Sequence, residues 1–220
     1  MKKLDQDIIK FDYDKSFKDD DFYISKSNES ALIMLNKWPK KKKKFLNIYG
    51  ERHSGKTHLI NIFLKKFKGL KLEASKLKDD DLKKIKLYEN IVIENLDKNV
   101  DEKFIYTIFN FIDQENKYLI ITSIKSIAEI NFDLNDLRSR AKNFILQDIK
   151  KPDDKLMFAL IFKSLSDRQI SLDQKLISYI IKRIERSYGE INDFIYKIDE
   201  LSLKKKKSID LKLIKEVLGE

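Results

Sequence analysis

The residues best suited to chemistry lie in one short segment, residues 50–57, which reads GERHSGKT and fits the pattern Gly-x-x-x-x-Gly-Lys-Thr. Glycines let such a loop curl so that backbone N–H groups face a phosphate, and the N-terminus of the following helix adds partial positive charge. Lys56 would then reach the β- and γ-phosphates, and the Thr57 hydroxyl would ligate Mg²⁺. The segment predicts a Walker A loop that binds ADP or ATP, the alternative being a chance Gly/Lys turn. The candidate nucleotide contacts are Gly50, Ser54, Gly55, Lys56, Thr57 and His58.

Metal chemistry other than Mg²⁺ has little support in the composition. The chain has no cysteine, which excludes disulfides and thiolate zinc sites. His53 and His58 are the only histidines, and a metal pair would need further ligands. We interpret His53 as a loop residue and His58 as helix surface or packing beside the nucleotide.

The segments around the loop alternate between apolar runs and amphipathic stretches, which predicts alternating strands and helices. Short apolar runs predict a parallel sheet of about five strands, at 45–49, 70–73, 90–96, 118–123 and 143–149. Helices are predicted between them at 57–67, 79–86 and 101–115. From residue 150 onward the pattern is helical throughout, with acids that suit helix starts, and it predicts helices at 153–166, 172–186, 189–202 and 210–218. The predicted fold class is therefore α/β, with a small C-terminal helical lid.

The length of 220 residues is enough for one mid-sized domain with a lid. No run of about twenty uncharged apolar residues is present, so we expect no transmembrane segment. The N-terminal apolar residues are interrupted by acids, which is unlike a secretory signal, and we expect a cytoplasmic protein. The net charge of +10 invites a nucleic-acid interpretation. Only six basic residues are arginine, however, and we interpret the runs Lys40–Lys44 and Lys204–Lys207 as solvated loops.

A family resemblance appears when the motifs are taken in order. The loop is followed by THL, NIVIEN, LIITS, NDLRSR and KRIERS, and it is preceded by FYISKSNESALIMLNKWP at 22–39. This series resembles the DnaA-type AAA+ ATPases. Because the chain ends just after the lid, without a DNA-binding helix-turn-helix, it is similar to the Hda family of replication regulators. The resemblance implies an AAA+ P-loop NTPase core at 25–149 and a lid at 150–220, with 1–24 as an N-terminal tail.

The resemblance also implies roles for residues at the strand ends. The family's Walker B motif ends in two acids, one for Mg²⁺ and one that orients the attacking water. Here those positions hold Glu94 and Asn95. Glu94 can still act on Mg²⁺, whereas Asn95 can hydrogen-bond water but cannot take a proton. Thr122 matches sensor I, where a polar side chain is close to the γ-phosphate.

Three arginines and one glycine complete the carried-over pattern. Arg140, in LRSR at 137–140 with Arg138, takes the position of the arginine finger, which acts on nucleotide held by a neighbouring protomer. Gly189 takes the position of the sensor II arginine, and Arg186, one turn earlier, either substitutes for it or pairs with an acid. Loss of the Walker B acid and of the sensor II arginine predicts weak or absent intrinsic ATPase activity.

The N-terminal tail contains Gln6, Ile9 and Phe11 with the spacing Q-x-x-I-x-F. This resembles the peptide with which bacterial replication proteins dock on the DNA polymerase III sliding clamp (beta subunit), the alternative being an edge strand packed on the core.

The resemblance to the Hda family implies that the chain promotes hydrolysis of DnaA-bound ATP and prevents re-initiation. The implied partners are DnaA, the clamp, DNA mainly through the clamp, and a possible homo-oligomer. The alternatives are an active ATPase of the helicase-loader type and a DNA-binding accessory protein.

Overall fold

The predicted strands form one parallel five-stranded sheet in a computed structural model that describes residues 22–38, 43–97 and 99–220. The strand order is β2-β3-β4-β1-β5, so β1 lies inside the sheet between β4 and β5. All four pairings are parallel, so the carboxyl ends of all five strands lie along one edge. The strands are β1 (Phe45–Tyr49), β2 (Gly69–Glu73), β3 (Asn90–Leu96), β4 (Tyr118–Ser123) and β5 (Ile145–Asp148).

Helices cover both faces of this sheet, as a parallel sheet requires. Side chains alternate along each strand: Ile91 and Ile93 of β3 join one core cluster, and Val92 joins the other. The apolar stripe of the amphipathic helix α4 packs into the first cluster, and helices α1 and α2 pack into the second. The core helices are α1 (Glu29–Lys37), α2 (Lys56–Lys66), α3 (Asp81–Lys86), α4 (Glu102–Gln114) and α5 (Asn135–Ala141).

The C-terminal helices build a separate apolar core around Met157, Ile161, Ile177 and Phe194. Each begins with an oxygen-bearing N-cap whose side chain accepts a hydrogen bond from the helix backbone, and caps of this kind each stabilise a helix by about 1 kcal/mol. The caps are Asp153, Asp173, Ser187 and Asp210. The predicted helical lid is therefore confirmed, as α6 (Asp154–Ser166), α7 (Gln174–Ile181), α8 (Tyr188–Lys205) and α9 (Leu211–Leu218).

Several boundaries differ from the sequence prediction. Helices α1 and α5 were not predicted, and α7 ends at Ile181 instead of reaching residue 186. The strand predicted at 143–149 begins only at Ile145, because a helical turn continues past α5: Asn143 N donates to Arg140 O, and Phe144 N donates to Ala141 O. Over the described ranges, no helix combines the length and apolar character needed to cross a membrane.

Candidate functional site

The Walker A segment lies at the carboxyl end of β1, between that strand and α2. Gly50 N donates to Ser123 O of the neighbouring strand (3.2 Å), which fixes the start of the loop against β4. Gly55 caps α2 with a left-handed backbone, at φ +88°, a region that side chains with a Cβ rarely adopt. A Cβ at Gly50 would lie 3.0 Å from Ile149 O and 3.2 Å from Ser54 Oγ, so a side chain there would force these neighbours to shift.

Lys56 turns back into this loop. Its Nζ donates to the carbonyl oxygens of Gly50 (2.7 Å) and Glu51 (2.7 Å), and the residue is only 8% exposed. Burial lowers the pKa of Lys56 to about 8, although the negative charges of Glu51 and Glu94 act in the opposite direction. A buried ammonium held by main-chain carbonyls is suited to exchange those neutral partners for an anionic phosphate, which forms stronger, charge-assisted hydrogen bonds.

Glu94 offers a second polar group at the same edge. The residue is 5% exposed, and its Oε2 forms an ion pair with Lys71 Nζ (3.1 Å). Its Oε1 is buried without a hydrogen-bond partner among the described residues. An unsatisfied buried carboxylate oxygen is costly, and a hydrated cation beside it would remove that cost. Across the described residues no group of three or more His, Cys, Asp or Glu could hold a metal ion, so Mg²⁺ here would take phosphate and water oxygens with Thr57 and Glu94.

The structure joins Asn95 and Thr122 to each other. Asn95 lies at an irregularity in β3 with a left-handed backbone, at φ +58°, and its N–H donates to Thr122 Oγ1 (3.0 Å). The Asn95 side chain is turned to the edge of the sheet, where Nδ2 donates to both carboxylate oxygens of Glu73 (3.2 and 3.1 Å). The Asn95 amide nitrogen is therefore engaged by Glu73.

Arg140 lies away from the loop. Its guanidinium rests against α4, 3.4 Å from Asp113 Oδ2 and 5.6 Å from the centre of the Tyr106 ring. Asp113 is in the last turn of α4, just before β4 begins, and Arg140 lies five residues before β5 begins. Both therefore lie toward the amino ends of the strands. The length of β1, about 16 Å, separates that side of the sheet from the Walker A loop at the carboxyl end of the strand.

The lid residues expected to sense phosphate are exposed. Arg186 Nη2 pairs with Asp154 Oδ1 (2.8 Å), and the arginine side chain is 62% exposed. Gly189 lies in the first turn of α8, where an added Cβ would meet only Ser187 Oγ, at 3.9 Å. The position therefore has space for a side chain, and no arginine occupies it.

Three contacts around the loop were not anticipated from the sequence. Glu51 Oε2 accepts a hydrogen bond from the N–H of Tyr188, the first residue of α8 (3.2 Å), and the Tyr188 hydroxyl donates to Lys150 O (3.0 Å). Burial raises the pKa of the Tyr188 hydroxyl well above its usual value. Phe22 packs edge-on against His58 with ring centres 5.2 Å apart. The sequence signal for the Glu51 contact was an acid inside a loop that otherwise suits an anion.

The predicted clamp motif, Gln6, Ile9 and Phe11, lies outside the described residues.

Comparison with known proteins agrees with this arrangement. A family model described as Hda, lid domain, matches residues 153–218. The chromosomal replication initiator protein DnaA of Thermoanaerobacter sp. (strain X514) is 27% identical over 228 residues, which cover 91% of this chain and 51% of that protein. The chain thus spans about half the length of the curated relatives it matches.

Solved structures share the fold. Domain III of the Thermotoga maritima replication initiation protein DnaA superimposes with a TM-score of 0.71 at 17% identity, covering 92% of this chain and 95% of that one. The replication initiator DnaA bound to AMPPCP and single-stranded DNA gives a TM-score of 0.62 at 20% identity, covering 85% of this chain and 67% of that one. With its AAA+ fold and its matched lid, the chain is similar to the DnaA-related AAA+ proteins and carries a lid of the Hda type.

Proposed function

We propose that this chain is a nucleotide-binding regulator of chromosome replication that offers Arg140 to ATP held by DnaA and promotes its hydrolysis. The observation that carries the proposal is the separation of Arg140 from the chain's own Walker A loop. Arg140 lies against Asp113 and Tyr106 toward the amino ends of the strands, and the loop lies at their carboxyl ends. An arginine in that position can stabilise transferring phosphoryl charge only on a neighbouring molecule.

The chain's own nucleotide would be ADP or ATP, with Mg²⁺ neutralising phosphate charge. Backbone N–H groups of Gly50, Ser54 and Gly55 would face the phosphates, with Lys56 as the cationic partner and Thr57 and Glu94 toward Mg²⁺. The unsatisfied Glu94 Oε1 and the buried Lys56 ammonium support this assignment. AMPPCP, the nucleotide analogue bound in two DnaA structures of the same fold, supports it as well.

Hydrolysis by the chain itself would be weak. Asn95 has no carboxylate with which to activate water, and its amide is bound to Glu73. The lid supplies no arginine at Gly189, and Arg186 is paired with Asp154. Bound nucleotide would then serve mainly to order the core, 25–149, against the lid, 150–220.

Partner binding completes the proposal. Gln6, Ile9 and Phe11, in the tail at 1–24, would dock on the sliding clamp, which brings the chain to DNA at the nucleoid and beside DnaA. The test measures the rate at which DnaA-bound ATP is hydrolysed with this chain and a DNA-loaded clamp. In control reactions the chain and the clamp are omitted in turn. We expect stimulation only with both present. Robust turnover by the chain alone that is lost on Lys56→Ala would instead support an active ATPase.

A further inference from the structure

The edge of the sheet opposite the Walker A loop is lined with lysines. Among the described residues, eight lysines and two carboxylates, Glu89 and Glu115, lie within the four positions that precede a strand. Because every strand pairing is parallel, these positions meet along one side of the sheet, here called the amino edge. Its lysines are Lys43, Lys44, Lys65, Lys66, Lys68, Lys86, Lys117 and Lys142.

Helix stability explains only part of this pattern. Lysine in the last turn of a helix is favoured by the helix dipole, and Lys65, Lys66 and Lys86 occupy such positions in α2 and α3. The other five lie outside the helices. Each of the five strands has at least one lysine in the positions that precede it, so the cations follow the sheet and not any single helix.

Two of these ammonium groups are held in place by the backbone. Lys117 Nζ donates to the carbonyl oxygens of Lys86 (3.0 Å) and Tyr88 (2.9 Å), and Lys44 Nζ donates to Asn116 O (2.6 Å). These bonds join the starts of β1, β3 and β4, and less side-chain entropy remains to be lost when an anion binds. Lys43, Lys68 and Lys86 are exposed, and within the described part of the chain none of the three forms an ion pair.

The spacing of the edge suits a long polyanion. Five strands about 4.8 Å apart span about 19 Å, which is the length of about six base pairs at 3.4 Å each. Lysines act as point charges toward phosphate and do not read base edges in the fixed, bidentate manner of arginine. We propose that the amino edge binds the phosphate backbone of duplex DNA without sequence preference. This contact is separate from the Walker A loop. Arg140 lies on the same side of the sheet, but DNA binding by the lysines does not depend on its role toward ATP, so the contact holds even if the chain does not stimulate DnaA.

The experiment measures binding of the full chain to a fluorescent duplex of about 25 base pairs over a series of KCl concentrations. The edge variant is Lys43→Gln/Lys68→Gln/Lys86→Gln. The matched control is Lys182→Gln/Lys204→Gln/Lys212→Gln, which removes the same charge from exposed positions on the lid. Retention of the ADP-induced thermal shift checks that each variant folds.

For the edge variant we expect the slope of log Kobs against log salt to fall in magnitude by about 3, at about 0.9 per lost phosphate contact. Affinity near 100 mM salt should fall by tenfold or more, whereas the lid variant should change it less than twofold. Replacement of the same three edge lysines by arginine should retain the wild-type slope. The proposal would be overturned if the wild type did not bind the duplex at 50 mM KCl, or if the edge and lid variants lost equal affinity. It would also be overturned if the edge variant bound DNA normally but lost binding to a protein partner.

Discussion

The Glu51 carboxylate of the Walker A loop accepts a hydrogen bond from the backbone N–H of Tyr188, at the N-terminus of lid helix α8 (3.2 Å). An anion at this position is favoured by the partial positive charge of the helix terminus. The loop and the lid are thereby joined through a side chain of the loop itself.

Replacement of Glu51 should loosen the lid. In Glu51→Gln the charge is lost and the shape is kept, so amide hydrogen exchange in the first turn of α8 should become several-fold faster, consistent with a loss of about 0.3–1 kcal/mol. Glu200→Gln removes an exposed acid further along α8 and is the matched control. Equal exchange in wild type and Glu51→Gln would show that the contact does not hold the lid.

The pH dependence of ADP binding should follow the titration of Lys56. The folded protein holds the pKa of Lys56 at about 8, below its ordinary 10.5, so its burial penalty is fully present below pH 8 and disappears as pH rises from 8 toward 10.5. ADP binding needs the charged form of Lys56. The affinity for ADP therefore falls as pH rises above 8, over the range in which the burial penalty on folding disappears. The Kd for ADP should rise by up to about tenfold per pH unit above pH 8.

Calorimetry in buffers of different ionisation enthalpy should detect proton uptake on ADP binding near pH 9. Lys56→Ala should abolish both the binding and the thermal shift that ADP causes. In Lys56→Arg, any remaining affinity should be independent of pH over this range, because arginine stays charged. Wild-type affinity that is constant from pH 7 to 10 would contradict the assigned role of Lys56.

Restoration of an acid at position 95 should fail by itself. Asn95→Asp places a carboxylate where the amide now donates to Glu73, at 3.1–3.2 Å. The two negative charges should destabilise the fold by about 1 kcal/mol, with no gain in ATP turnover. The double variant Asn95→Asp/Glu73→Gln should recover the stability. A single Asn95→Asp variant with wild-type melting temperature would show that the contact with Glu73 has no energetic weight.

Much of this fold could be predicted because its signals are local. The central strands are continuous apolar runs, which is how strands buried on both faces are recognised, and the lid caps Asp153, Asp173 and Asp210 mark helix starts directly. Helices α1 and α5 are short, at 9 and 7 residues, and too few turns define their periodicity.

The site was predictable only where one motif contains it. Residues 50–57 specify the loop because the glycines that set its backbone geometry and the lysine that it positions all lie within these eight positions. The contacts Asn95–Glu73 and Glu51–Tyr188 join residues 22 and 137 positions apart, and they depend on strand order and lid docking. No local pattern encodes that Arg140 rests on α4 or that lysines from five strand starts meet at one edge.

The clamp motif gives a prediction for the part of the chain outside the described residues. Gln6→Ala or Phe11→Ala should remove binding to purified clamp, because Phe11 would fill an apolar pocket and the Gln6 amide would bond at its rim. Wild-type affinity should be about micromolar, since an extended peptide loses entropy on docking. Ile8→Ala, at a variable position of the motif, is the control. If Gln6→Ala and Phe11→Ala lower the melting temperature and leave clamp binding intact, the segment is part of the core.

The most direct test of the account is the rate at which DnaA-bound ATP is hydrolysed in the presence of DNA-loaded clamp and either wild type, Arg140→Ala or Arg138→Ala. Arg138 lies on the same short helix and hydrogen-bonds Asn135, so its variant matches the loss of charge. Arginine fingers contribute about 10³–10⁵ in rate, so Arg140→Ala should return hydrolysis to the level of DnaA alone, with ADP and clamp binding unchanged. Arg138→Ala should retain most of the stimulation. Full stimulation by Arg140→Ala would contradict the proposed role of this residue.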